Sequence, residues 1–173
     1  MDPRDVSNLF AIALVVGLAG VIGAMTFARG RHELGRIAPV LVAVAASGAT
    51  LGSLYFSEVA DYLPCKYCWY QRIAMYPIAA ITVAALIFRD RAALRYSLVL
   101  SSIGAAISIY HIQLQLFPDQ GSNSCAITNP CTAKWVEAFG FVTIPQMAGA
   151  TFAVIIISSI VGLRWTPDAA SAE

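Results

Sequence analysis

Apolar residues occur along this chain in five long runs, separated by short stretches that hold most of the polar residues. Each run has 20 to 25 residues with almost no charge. A helix of about 20 apolar residues crosses the roughly 30 Å hydrocarbon core of a bilayer. None of the runs alternates apolar and polar residues as a barrel strand would. The pattern therefore predicts five membrane-spanning helices, over residues 9–28, 37–56, 68–88, 96–117 and 139–163.

The composition agrees with this interpretation. Of the 173 residues, 58% are hydrophobic and 12% are charged, whereas a soluble domain has about 25% charged residues. We therefore expect an all-α integral membrane protein, built as one helical bundle and surrounded by membrane lipid. Lysine and arginine number 11 against 10 acidic residues, so the chain has no basic surplus that a phosphate backbone would attract. Nucleic acid is not an expected partner.

The connections between the spans differ in lysine and arginine, which are retained on the cytoplasmic side of a membrane. Seven of these residues fall in the connections at 29–36 and 89–95 and in the tail after the last span, and three fall on the other side. The N-terminus and the loops at 57–67 and 118–138 are therefore expected to face outward, and the C-terminus to face the cytoplasm. A cleaved signal peptide over the first run is the alternative, but the positive cluster follows that run instead of preceding it.

All four cysteines, Cys65, Cys68, Cys125 and Cys131, lie on the predicted outward side. Disulfides persist in oxidising compartments, so this placement indicates disulfide chemistry outside the cytoplasm. Cys65 and Cys68 form a C-x-x-C at the start of a predicted helix, after Pro64, where the positive end of the helix dipole stabilises a thiolate. Such a pair indicates a redox-active centre. Two structural disulfides that brace the outer loops, or a zinc site, are the alternatives.

The segment between the second cysteine pair and the last span is expected to lie on the membrane surface. Within residues 132–138, Trp135 stands opposite Lys134 and Glu137, as it would in a short amphipathic helix. This helix would hold the second cysteine pair over the end of the bundle.

Two polar positions inside the predicted spans point to a site. Arg72 follows Cys68 by four residues and Cys65 by seven, so the three side chains share one helical face. His111 lies near the outward end of the next span, at a depth similar to that of Arg72, and Gln115 follows it as a further donor. Together these groups suit a neutral ring with carbonyl oxygens, such as a quinone. The alternatives are an arginine that extends to the lipid headgroups and a histidine that bonds between helices.

Several motifs resemble those of the DsbB family of disulfide-bond formation proteins. Residues 63–72 read L-P-C-K-Y-C-W-Y-Q-R and match the family's L-P-C-x-x-C-x-x-Q-R signature. The run Y-H-I-Q-L-Q at 110–115, the cysteines at 125 and 131, and F-G-F-V-T-I-P at 139–145 match its later landmarks in order. The short spacing of the second pair is closest to the BdbC-type branch.

The resemblance implies a DsbB-like four-helix bundle over residues 37–163. Residues 1–36 would add an N-terminal transmembrane helix and a cytoplasmic loop, and residues 164–173 a cytoplasmic tail. It also implies a multi-pass enzyme of the bacterial inner membrane. This quinone-dependent oxidoreductase would reoxidise a DsbA-like thioredoxin-fold protein outside the cytoplasm and reduce ubiquinone or menaquinone.

The resemblance further implies a role for each site residue. Cys125 would be attacked by the partner, Cys131 would be its exchange mate and link transiently to Cys65, and Cys68 would face the quinone. Arg72 would stabilise the Cys68 thiolate and the quinone oxygen, and His111 and Gln115 would contact the quinone. A vitamin K epoxide reductase-like enzyme is an alternative, although that family places its loop cysteines before the C-x-x-C. The other alternative is a non-enzymatic membrane protein with two structural disulfides.

Overall fold

The computed structural model describes residues 3–121, 125 and 130–166. These residues form five long helices, each long and apolar enough to cross a membrane, and no β-strand. The predicted all-α architecture with five spans is confirmed. Part of the second cysteine motif, at residues 124 and 126–129, and most of the predicted tail, at 167–173, lie outside the described residues. The helices are α1 (Pro3–Met25), α2 (Ala28–Leu54), α3 (Lys66–Phe88), α4 (Ala93–Leu116) and α5 (Ile144–Arg164).

Helices α2 to α5 form a bundle, and α1 packs on its outside against α5 and α2. The core of the bundle combines small residues of α2 with larger side chains of α3 and α5, among them Ile78, Phe152 and Ile155. Gly104 of α4 allows the close approach, because a Cβ atom there would overlap the ring of Phe152. Close packing at small residues is how helices associate in lipid, where no hydrophobic effect drives them together.

Helix α2 begins earlier than its hydrophobic run. The connection predicted at residues 29–36 is helical, so α1 and α2 are separated only by Thr26 and Phe27, and the domain boundary predicted after residue 36 falls inside α2. The charged residues of this stretch remain in a helix because they can pair along it: Arg36 bonds Glu33 at 2.8 Å. The hydropathy pattern therefore predicts the part of a helix that lies in lipid, but it does not predict a polar extension of the same helix beyond the lipid.

The segment before α5 is a turn, so the helix predicted over residues 132–138 is wrong. Ala138 and Val142 exchange backbone hydrogen bonds across a tight reversal in which Phe139 and Gly140 have positive φ. The last span begins at Ile144 instead of at residue 139. Thr143 caps this helix in a reciprocal capping box with Gln146, which satisfies the first backbone donors.

The two cysteine pairs, Cys65 with Cys68 and Cys125 with Cys131, lie at the same end of the bundle. The C-terminal ends of α2 and α4 meet the N-terminal ends of α1, α3 and α5 there. At the opposite end, Arg91 donates hydrogen bonds to the carbonyls of Gly35 and Gly162 and stacks on Trp165. The fold thus gathers the candidate site at the end that the charge pattern predicts to face outward.

Candidate functional site

The C-x-x-C forms the N-terminus of α3. Cys65 is the N-cap residue, and its sulfur accepts a hydrogen bond from the backbone N–H of Cys68 at 3.4 Å. The two cysteines are free thiols whose sulfur atoms are 2.9 Å apart. A cap position places the Cys65 sulfur at the positive end of the helix dipole, which favours negative charge. The helix start predicted from Pro64 and the C-x-x-C spacing is therefore confirmed.

Cys65 is the more buried cysteine of the pair, with 4% of its surface exposed. A hydrogen bond from Cys68 holds the pKa of the Cys65 thiol well below its usual value, and a contact with His111 adds to this effect against the opposing cost of burial. In the reduced C-x-x-C, Cys65 is therefore the sulfur whose surroundings favour the thiolate.

His111 of α4 connects the C-x-x-C to the second cysteine pair. Its Nε2 lies 3.0 Å from the carbonyl oxygen of Cys131 and 3.5 Å from the sulfur of Cys65. A carbonyl oxygen only accepts hydrogen bonds, so Nε2 carries a proton and donates it to Cys131. His111 is buried, and its Nδ1 has no hydrogen-bond partner among the described residues. The imidazole therefore bridges two cysteines that are far apart in sequence.

The second pair is a disulfide between Cys125 and Cys131, with the Cα atoms 5.9 Å apart. Cys131 is buried in one cluster with Cys65 and Leu114, whereas Cys125 is partly exposed at the edge of that cluster. Gln115 fixes the segment that follows, since its Nε2 donates to the carbonyl of Ala133 and its Oε1 accepts from the hydroxyl of Thr143. The loop disulfide is thereby held against Cys65.

On the other side of α3, Cys68 and Arg72 border a cavity of about 110 Å³. Its walls are mostly apolar and come from α1, α2, α3, α5 and the outer loops. The guanidinium of Arg72 donates from Nε to the hydroxyl of Ser53 and from Nη2 to the Ser53 carbonyl, both at 2.9 Å. It also lies over the ring of Trp69, 5.2 Å from the ring centroid. Arg72 is thus directed at the neighbouring helix α2 at the edge of the cavity.

The structure divides the predicted site residues into two groups. The first group surrounds the junction of the two cysteine pairs and comprises Cys65, Cys125, Cys131, His111 and Gln115. The second group, Cys68 and Arg72, reaches the cavity. Neither His111 nor Gln115 is among the residues that line the cavity. The proposed contact of these two residues with a quinone therefore stays a prediction without geometric support.

Sequence reasoning missed several residues of the cavity. Ser53 holds Arg72, and Gln71 is buried beside the cavity with its amide donating to Ser108. Gln71 could have been found from its place in the 63–72 motif. Ser53 could not, because nothing in its local sequence separates it from the other serines of the spans. Six aromatic residues that line the cavity were also missed: Phe10, Phe56, Tyr62, Tyr76, Trp135 and Phe152.

One group of three possible metal ligands occurs within the described part of the chain: Cys65, Cys68 and His111. The zinc alternative drew on both cysteine pairs. Because Cys125 and Cys131 are joined to each other, they offer no thiolate to a metal in this structure.

The fold and site define a class: a multi-pass helical membrane protein with a loop disulfide held against a C-x-x-C. The sequence model of a family described as "Disulfide bond formation protein DsbB" matches residues 35–162. The chain belongs to this family of disulfide-bond formation proteins, and it is therefore a membrane thiol oxidoreductase.

The chain is also similar to curated proteins of the BdbC-type branch. It is 44% identical over 118 residues to "Probable disulfide formation protein C" of Halalkalibacterium halodurans. The aligned region is 67% of this chain and 85% of the relative. It is 44% identical over 110 residues to "Disulfide bond formation protein C" of Bacillus subtilis, covering 63% of this chain and 80% of the relative. No solved structure matches the chain significantly.

Proposed function

We propose that this protein reoxidises a DsbA-like thioredoxin-fold protein outside the cytoplasm and transfers the electrons to a membrane quinone, ubiquinone or menaquinone. One observation carries the proposal. The N-terminus of α3 presents Cys65 to the loop disulfide through His111, and presents Cys68 to an apolar cavity that holds Arg72. Two sulfurs three residues apart therefore connect two different environments.

We also propose that the protein lies in the bacterial inner membrane with its N-terminus and both cysteine pairs outside and its C-terminus in the cytoplasm. The distribution of charge supports this orientation. Among the described residues, the end of the bundle away from the cysteines holds Arg29, Arg31, Arg36, Arg89, Arg91, Arg95 and Arg164.

The partner reacts at the loop disulfide. Cys125 is more exposed than Cys131, so a partner thiolate attacks Cys125, forms a mixed disulfide and releases the Cys131 thiolate. Cys131 then attacks Cys65 of an oxidised C-x-x-C, and Cys68 leaves as a thiolate. His111 is a positioning residue in this step, because its Nε2 contacts both the Cys131 backbone and the Cys65 sulfur.

Two further exchanges close the cycle. The second thiolate of the partner displaces Cys125 and leaves the partner with a disulfide. Cys125 then attacks Cys131 and restores the loop disulfide, which leaves Cys65 and Cys68 as the dithiol. The net result is transfer of two electrons and two protons from the partner dithiol to the C-x-x-C, and the structure has this same distribution of thiols and disulfide.

A quinone ring is the ligand that we infer for the cavity. Its mostly apolar walls suit a flat ring, and Arg72 lies at its edge with Nη1 making no hydrogen bond to the described residues. Arg72 and Cys68 would hold the ring, which when bound accepts two electrons and two protons. The positive charge of Arg72 favours the anionic form of the Cys68 sulfur and offers a donor to a carbonyl oxygen.

The test uses the purified protein in nanodiscs with a reduced thioredoxin-fold dithiol protein and a short-tailed ubiquinone or menaquinone analogue. We expect one quinone to be reduced for each partner disulfide formed. A partner variant that lacks its second cysteine should form a mixed disulfide with Cys125 of the unaltered protein, because its thiolate opens the Cys125–Cys131 disulfide and no second partner thiolate displaces Cys125. Oxidation of the partner without loss of quinone would overturn the quinone step. Absence of both reactions would favour the non-enzymatic alternative.

A further inference from the structure

Helix α1 lies outside the residues that match the family, which begin inside α2 at residue 35. Its outer half nevertheless contributes to the cavity beside Cys68. Phe10 and Leu14 both line that cavity, together with Cys68 and Arg72. A helix that the family pattern does not contain is thus part of the candidate quinone site.

The position of α1 follows from close contacts with α2 and α5. Gly52 of α2 allows the approach, because a Cβ atom there would lie 2.9 Å from the ring of Phe10. Ala11 is fully buried in one cluster with Phe56 of the turn after α2 and Met147 of α5. The outer half of α1 therefore covers the cavity where α2 and α5 border it.

The opposite face of α1 is apolar and uncovered. Val15 and Val16 are 62% and 65% exposed, which is expected of side chains in contact with lipid. At the level of Phe10 and Leu14, α1 consequently lies between the cavity and the lipid. Any ring that reaches Cys68 from the bilayer on this side has to pass these two side chains.

Phe10 also begins a series of aromatic contacts over the outer end of the cavity. Its ring centroid is 6.4 Å from that of Phe56, which stacks on Tyr62 at 6.1 Å, and Tyr62 stacks on Trp135 at 6.1 Å. The side chain of Asn8 accepts a hydrogen bond from the backbone N–H of Phe139 at 3.3 Å. Helix α1 is therefore joined to the outer loop that follows the second cysteine pair.

We propose that α1 forms the lipid-side wall of the quinone cavity and that Phe10 and Leu14 determine how tightly a quinone ring is held and how readily Cys68 is reached from the bilayer. The proposal rests on the proposed function for the identity of the ligand. It makes Phe10 a contact for the ring, because its side chain lines the cavity and packs closely on Gly52.

The test compares Phe10→Ala and Leu14→Ala with Val15→Ala, which removes apolar volume from the same helix on its exposed face. Binding of a ubiquinone and a menaquinone analogue is measured at equilibrium by quenching of tryptophan fluorescence in nanodiscs. We expect Phe10→Ala to raise the dissociation constant at least threefold for one or both quinone analogues. Leu14→Ala should raise it less, and Val15→Ala should leave it unchanged.

A second readout needs no quinone. The reduced protein is alkylated with N-ethylmaleimide, and the rate at Cys68 is followed by tryptic mapping, because cleavage after Lys66 separates Cys68 from Cys65. Phe10→Ala should speed alkylation of Cys68 at least threefold, and Val15→Ala should not. Phe10→Leu serves if Phe10→Ala fails to fold in a thermal unfolding control.

The two possible failures are distinguishable. If the unaltered protein binds neither quinone, the proposed function is wrong. If it binds quinone and the Phe10 and Leu14 variants match Val15→Ala in both readouts, the proposed function stands and α1 is only a peripheral helix.

Discussion

The two sides of the α3 N-terminus differ in what they contain. On one side, Cys65 is buried against a loop disulfide, with His111 donating to the backbone of Cys131. On the other, Cys68 opens to an apolar cavity whose edge holds a fixed cation, Arg72. The first arrangement suits exchange between sulfurs, and the second suits a neutral ring that gains negative charge. A C-x-x-C at a helix start can therefore exchange electrons with a protein substrate on one side and with a lipid-soluble substrate on the other.

The largest expected effect is that of Cys68→Ser, which should stop quinone reduction without stopping the reaction with the partner. Cys68→Ser should lower quinone reduction by at least about a thousandfold, because it removes the reacting sulfur at the cavity. The loop disulfide is unaltered, so a mixed disulfide with the partner should still form and be visible on a non-reducing gel. Quinone reduction within tenfold of the unaltered protein would contradict the assignment of Cys68.

Arg72 sharpens the comparison on the cavity side. Arg72→Ala should raise KM for quinone about tenfold or more, since a charged hydrogen bond contributes about 1.5–3 kcal/mol, and Arg72→Lys should be intermediate because it keeps the charge but not the fork of donors. KM for the partner should change less than twofold. Arg89→Ala, at the opposite end of the bundle, is the matched control.

If Arg72→Ala leaves KM for quinone equal to that of Arg89→Ala, then the hydrogen bonds to Ser53 are structural only. Ser53→Ala gives an independent check, because it removes the hydroxyl that accepts from Nε and leaves the charge in place.

The smallest effect concerns Cys65 in the dithiol protein. The pKa of Cys65 is lowered, chiefly by the hydrogen bond from Cys68, so its thiolate is present at pH 7 and is lost only as pH falls through that lowered pKa. Thiolate absorbance near 240 nm should persist well below pH 8.5, the usual pKa of a free cysteine. Cys68→Ala should shift its loss to higher pH, and His111→Gln should shift it less. Titration near pH 8.5 in the unaltered protein would contradict this account.

The five spans were predictable because lipid requires about 20 apolar residues in each, and this requirement is visible in the sequence alone. The ends of the helices were not, because a helix continues past the lipid wherever its backbone bonds are satisfied. Residues 29–36 are an example. The start of α5 carried a signal that was overlooked: T-I-P-Q at 143–146 is a capping box with proline at an early helix position.

Part of the site was predictable for the same reason. The spacing of Cys68 and Arg72 places them on one face of α3, and a charge in a span marks a site. The prediction that Cys65 shares this face is wrong, because Cys65 is the N-cap residue and packs against the loop disulfide on the other side. The separation of His111 and Gln115 from the cavity was not predictable, since it depends on which neighbour each helix face meets. The contribution of Phe10 was also hidden, because one apolar side chain among twenty carries no local signal.

The contact between the two cysteine pairs is the central claim, and one measurement tests it most directly. In the double variant Cys68→Ser/Cys125→Ser, Cys65 and Cys131 are the only remaining cysteines. After mild oxidation in nanodiscs, mass mapping should find a Cys65–Cys131 disulfide within single chains, because the two residues share one buried cluster. Two free thiols, or disulfides only between chains, would contradict the account.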